Sequence, residues 1–135
     1  MSAAENKKLI AQAYEALAAG DRRPLGALYA EDVRWDMMGT TAWSGLYEGR
    51  ATIAEKLLAP LFAQFGDVYV NRALRIIAED DLVAVESRGR VTTKAGKPYN
   101  NAYCWIYRMR EGKIVEITEY LDTALVNDAL EPPPR

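Results

Sequence analysis

The chain has 135 residues, half of them hydrophobic, and a formal net charge of −2 from 17 basic and 19 acidic side chains spread along its length. That suffices for one domain burying roughly two-thirds of its unfolded surface, and it offers no basic stripe for nucleic acid. With no histidine and Cys104 as the only cysteine, Ser-His and Cys-His nucleophile pairs, His-ligated metals, internal disulfides and thiolate zinc clusters are excluded.

No metal site and no cofactor are therefore expected. The six lysines, Lys7, Lys8, Lys56, Lys94, Lys97 and Lys113, lie in polar or turn contexts unsuited to a Schiff base, which leaves Asp, Glu and Tyr for proton transfer. Every apolar run is far shorter than a membrane span, and the first residues lack the apolar core of a signal peptide. A cytoplasmic location without a membrane partner is the expectation.

Residues 3–19 carry Ile10, Ala13, Tyr14 and Leu17 at helical spacing behind a Ser2…Glu5 capping box, and Gly20 ends the helix. A short helix over 21–30, with Pro24 in its first turn, is predicted next. Val33, Trp35 and Met37 alternate with Arg34, Asp36 and Met38, so a half-buried strand should point Trp35 and Met37 inward. Residues 39–49 hold three glycines without a clear period, giving a loop in which Trp43, Leu46 and Tyr47 either close over a pocket or pad the core edge. Ile53, Leu57, Leu61 and Phe65 restore helical spacing over 50–65, with Pro60 expected to break or kink that helix.

Extended segments follow at 68–78 and 82–93, and then a hairpin formed by 101–109 and 113–122. Helices first and strands after them describe an α+β domain, a curved antiparallel sheet wrapped around N-terminal helices to leave a cone-shaped pocket. The domain should span 1–127, with 128–135 an extended Pro-rich tail. At the hairpin turn a two-residue loop would force Glu111 to positive φ, so a three-residue loop with Gly112 left-handed is expected. That register pairs Tyr107 with Val115, Trp105 with Ile117, Tyr103 with Glu119 and Asn101 with Leu121. Glu119 becomes a carboxylate on an aromatic face, where it is either a functional group or a structural one hydrogen-bonded near the sheet rim.

The phase of strand 82–93 stays open. A two-residue turn at Ala95-Gly96 turns Glu86, Arg88 and Arg90 inward and gives Glu119 a cationic partner. A three-residue loop turns Val83, Val85, Ser87 and Gly89 inward instead. The opposite surface of the sheet carries Cys104, Ile106 and Tyr120, an apolar patch that predicts a homodimer through that outer face.

The order of elements, together with Tyr14…Gly20-Asp21, Tyr29 to Val33, Trp43-Ser44-Gly45…Gly49, Gly112 to Ile114 and Glu119 to Asp122, resembles the SnoaL-like branch of the nuclear transport factor 2-like superfamily over residues 5 to 126. That superfamily includes ketosteroid isomerases, polyketide cyclases, limonene-epoxide hydrolases, scytalone dehydratases and binders without activity. Matched to ketosteroid isomerases, Met37 falls at the general-base position and Ala13, beside Tyr14, at the oxyanion-hole tyrosine, so that catalytic set is not kept. Matched to limonene-epoxide hydrolases, Trp35 and Met37 replace the water-binding pair while Glu119 takes the place of the water-activating aspartate. A single pocket carboxylate is most similar in kind to SnoaL-like cyclases. The resemblance thus implies an acid/base enzyme of isomerase, cyclase or hydrolase type, or a binding module of the same fold. The ligand would be a small hydrophobic, oxygen-bearing molecule. Glu119, Tyr103, Asn101 and Arg88 are the catalytic candidates, and Tyr14, Trp35, Met37, Trp43, Trp105, Ile117 and Leu121 the substrate-binding ones.

Overall fold

The computed structural model describes residues 1–134. Helix α1 (Ala3–Ala18) starts on the capping box, with Ser2 Oγ accepting from the Glu5 amide and Glu5 Oε1 from the Ser2 amide. Its Ile10, Ala13, Tyr14 and Leu17 are buried against the sheet, as their spacing dictates. Helix α2 (Arg23–Ala27) is shorter than expected, because the chain is already extended at Tyr29, where strand β1 (Tyr29–Met37) begins. Residues 45–48, expected as loop, form an edge strand β2 (Gly45–Glu48) paired with β1.

Pro60 does not break the next helix. The short helices α3 (Arg50–Thr52) and α4 (Ala59–Phe62) are joined through a π-helical segment (Ile53–Leu58), with the Ala59 amide bonded back to Ala54 O. The wider turn carries the chain past a residue with no N–H to donate. Strands β3 (Val70–Glu79), β4 (Leu82–Arg90), β5 (Ala102–Arg110) and β6 (Lys113–Leu121) then run as a meander, and helix α5 (Thr123–Ala129) closes the chain.

The six strands form one sheet in the order β2-β1-β6-β5-β4-β3. All neighbours are antiparallel except β1 and β6, which run parallel. This departs from a wholly antiparallel sheet. The pair is far apart in sequence, and no local pattern sets its direction.

The β5–β6 turn also differs from expectation. Arg110 pairs with Lys113, so the loop is the two residues Glu111 and Gly112, at φ of 49° and 76°. The twist of such a turn matches that of the strands, which offsets the strain at Glu111. Continued unbroken, that register would put Glu119 on the outer face. A bulge prevents this: Met109 pairs with Ile114 and Arg108 with Glu116, leaving Val115 as the extra residue. Tyr107 therefore meets Ile117, Trp105 meets Glu119 and Tyr103 meets Leu121, two residues away from the expected partners but on the same face.

The open phase of β4 resolves to the hydrophobic alternative. The Thr93 amide bonds Lys97 O around a three-residue loop, and Ser87 pairs with Tyr103. Val83, Val85, Ser87 and Gly89 are buried, whereas Arg88 and Arg90 are exposed.

The C-terminal segment is held rather than loose. Asp128 and Ala129 complete α5 instead of opening a tail, because Val126, Ala129 and Leu130 supply an apolar face that buries. Beyond it, the Gln64 side chain bonds both the N–H and the C=O of Glu131, and Trp43 Nε1 donates to the same carbonyl at 2.9 Å.

Candidate functional site

The concave face of the sheet, α1, α2, α4 and α5 enclose a cavity of about 120 Å³. That is below the roughly 300–1,000 Å³ of drug-sized sites and near the ~150 Å³ of an apolar cavity known to take benzene, so it fits about one ring of a ligand. Exposed Arg22, whose guanidinium lies 3.8 Å over the Phe62 ring, marks its opening.

Strand β5 supplies one wall through its alternation. Tyr103, Trp105 and Tyr107 point inward at every second residue, with ring centroids 4.9 Å and 6.3 Å apart along the row. Trp35 of β1 meets Trp105 edge-on at 5.7 Å and Tyr29 at 6.2 Å. Ser87 Oγ fixes the Trp105 indole by accepting from Nε1 at 3.0 Å.

Glu119 enters this wall from β6, opposite Trp105, with 4% of its surface exposed. Among the described residues its carboxyl makes one hydrogen bond, Trp35 Nε1 donating to Oε1 at 2.9 Å. Loss of hydration pushes its pKa up to about 8, and the Trp35 bond offsets only part of that rise. The carboxyl is thus mostly protonated at pH 7. Because Oε1 accepts from the indole, the proton belongs on Oε2.

Tyrosine hydroxyls complete the polar inventory. Tyr14 and Tyr107 share a buried hydrogen bond. Tyr69 donates to Tyr103 at 3.1 Å and accepts from Asn71 Nδ2 at 3.0 Å. Burial raises all of these hydroxyls above the ordinary tyrosine range, so they remain protonated donors. Glu119, by contrast, lines the cavity with a pKa near neutrality.

Of the candidates from sequence, Glu119, Tyr103, Tyr14, Trp35, Met37, Trp43 and Trp105 line the cavity together. Arg88 does not: it lies on the outer face and donates to Ser87 O. Asn101 is fully buried but occupied, its amide bonding Tyr99 Oη, Asp122 O and the Ala102 and Asp122 amides, so it secures the end of the sheet. Ile117 is packed in the core and Leu121 is half-buried, neither reaching the cavity. Trp43 pads the wall, Tyr47 donates to Trp43 O at 2.6 Å, and Leu46 faces solvent.

Missed residues include Tyr69, Asn71, Tyr99, Val126 and Leu130. The spacing of Val126, Ala129 and Leu130 was a readable helical signal. Asn71 was hidden because the phase of β3 depends on a register shift between Ala73 and Arg75.

The comparisons with known proteins agree with this architecture. A family model described as a SnoaL-like domain matches residues 10–117, and the chain belongs to that family. Bal32a from a soil-derived mobile gene cassette superposes with a TM-score of 0.81 at 21% identity, covering 96% of this chain and 98% of that one. A Bacillus subtilis protein assigned as an isomerase gives 0.77 at 19% identity, covering 96% and 95%. A Jannaschia sp. CCS1 protein assigned as a SnoaL-like polyketide cyclase gives 0.76 at 15% identity, covering 97% and 94%. At these identities the likeness is one of fold. No curated protein matches the sequence. Among the described residues, no helix is long and apolar enough to cross a membrane.

Proposed function

We propose that the chain is an acid/base enzyme of the isomerase or cyclase type, acting without a cofactor on a small apolar molecule that carries a carbonyl oxygen. The observation behind this reading is Glu119, a carboxyl buried among aromatic rings with its pKa raised to about 8. Such tuning puts a general acid or base near the working pH. The isomerase and cyclase assignments of structurally similar proteins support the class.

In its ionised form Glu119 takes a proton from a carbon next to the carbonyl and returns it at another position. The two hydroxyls of Tyr14 and Tyr107 share one hydrogen bond, so one of their protons is left for the substrate oxygen on which charge develops. The hydrolase type is disfavoured. An activated water needs several polar partners, and Trp35, Met37 and Trp105 beside Glu119 offer it little but indole N–H groups that are already engaged.

Exchange of the α-protons of cyclohexanone, a one-ring ketone, in D₂O, followed by NMR, tests this reading. The rate should rise with pH to about 8 and then level, since the base is the ionised form. Glu119→Gln should reduce it about 10²–10⁴-fold. Binding of the ketone without exchange above the buffer rate would favour a binding module.

A further inference from the structure

Asn71 lines the cavity, and its buried Oδ1 has no hydrogen-bond partner among the described residues. The side chain is 1% exposed, and native proteins rarely leave such an acceptor unpaired. Its orientation is set by a chain of donors. Tyr69 commits its only proton to Tyr103, so the amide must turn Nδ2 towards Tyr69 Oη, which leaves Oδ1 as the free end. Asn6 Oδ1 is also unpaired, but Asn6 lies outside the cavity lining and recognises nothing there.

Asn71 is opposite Gly89 on β4. A Cβ on Gly89 would come within 3.0 Å of the Tyr103 ring and 3.2 Å of Tyr69 Oη. The bare glycine is what lets these groups gather beside Asn71. Glu119 sits three strands away in the sheet, so a hydrogen bond at Asn71 is separate from the carboxyl.

We infer that Asn71 is a specificity residue whose Oδ1 accepts a hydrogen bond from a hydroxyl or N–H of the ligand. This rests on the reading of the cavity as a ligand site and narrows its substrate class. The ligand carries a donor, such as a phenolic or enolic hydroxyl, at the Asn71 end. A molecule presenting only acceptors there, such as an ether or a quinone oxygen, leaves the amide oxygen unmatched and is rejected.

The isosteric pair p-cresol and p-xylene tests the inference, because each fits as one ring and they differ by a hydroxyl in place of a methyl. Dissociation constants come from chemical-shift titrations of the ¹⁵N-labelled protein. Asn71→Leu should weaken p-cresol by about tenfold or more, as expected for loss of a partner to a buried donor, and change p-xylene by less than about twofold. Asn71→Asp, which keeps an acceptor oxygen, should retain the preference for p-cresol. If Asn71→Leu does not fold, Asn71→Ala makes the same comparison. Equal responses of the two compounds to Asn71→Leu would overturn the inference alone and leave the cavity as a ligand site. Absence of saturable shifts from either compound would overturn the inference and the ligand-site reading together.

Discussion

Trp35 Nε1 donates to Glu119 Oε1 at 2.9 Å, so among the described residues the only hydrogen bond to the buried carboxyl comes from a neutral donor on the neighbouring parallel strand. A neutral indole cannot offset the loss of hydration as a guanidinium would, and the carboxyl keeps its proton up to about pH 8. The carboxyl holds its proton because, among the described residues, no cation lies close enough to favour the ionised form.

This pair makes stability depend on pH in a defined direction. The folded-state pKa of Glu119 lies above its unfolded value of 4.5, so the folded protein binds the extra proton. The associated stability is complete below about pH 4.5, declines by about 1.4 kcal/mol per pH unit as pH rises, and is lost above about pH 8. Glu119→Gln should remove that slope. Urea unfolding of both proteins at several pH values measures it, with the variant expected to be the more stable at pH 8 and above.

Trp35→Phe should raise the pKa of Glu119 further, since the indole bond favours the ionised form. A carboxyl ¹³C titration of the variant against the parent checks this. A downward shift would mean that Trp35 acts through packing and not through its N–H. The same titration on Arg88→Met should show no displacement, because Arg88 is exposed and bonds only Ser87 O.

Much of the cavity was legible in the sequence because period-two alternation survives errors of register. Alternation puts Tyr103, Trp105 and Glu119 on one face whichever cross-strand partners they take. A three-residue loop and a two-residue loop plus the Val115 bulge give the same parity. Arg88 is absent from the site because apolar spacing, not the demand of Glu119 for a cationic partner, sets the phase of β4 and buries Val83, Val85 and Ser87. The parallel β1–β6 pair and the docking of Glu131 on Gln64 depend on contacts between distant segments. No local pattern encodes them.

Gly89→Ala should destabilise the protein by about 1–3 kcal/mol, the usual cost of overpacking. The substitution would otherwise gain about 0.4–1 kcal/mol by restricting the unfolded chain. Here the added methyl meets the Tyr103 ring at 3.0 Å and Tyr69 Oη at 3.2 Å, tighter than ordinary van der Waals contact, and moving either ring strains the Tyr69–Tyr103 hydrogen bond. Thermal unfolding gives the sign, and a stabilised variant would show that the aromatic wall yields.

The last prediction concerns the outer face, which we propose as the surface of a homodimer. Cross-strand pairing lines up Ile77, Ala84 and Ile106 in one row, with Ile77 57% exposed and Ile106 half-buried. Cys104 and Tyr120 pair in the adjacent row, both exposed. Side chains of this kind facing water over several strands favour a self-complementary contact, in which Ile106 would meet the same row of a second copy. A charge at the centre of such a contact would be desolvated without a partner, which costs more than the apolar contact it replaces. Ile106→Glu should therefore convert a species of about 30 kDa, twice the 15.1 kDa chain, into monomer in sedimentation equilibrium at micromolar concentration. Ile106 points away from the cavity, so binding of p-cresol should persist in the monomer. A parent protein that sediments as a monomer would remove the proposed interface.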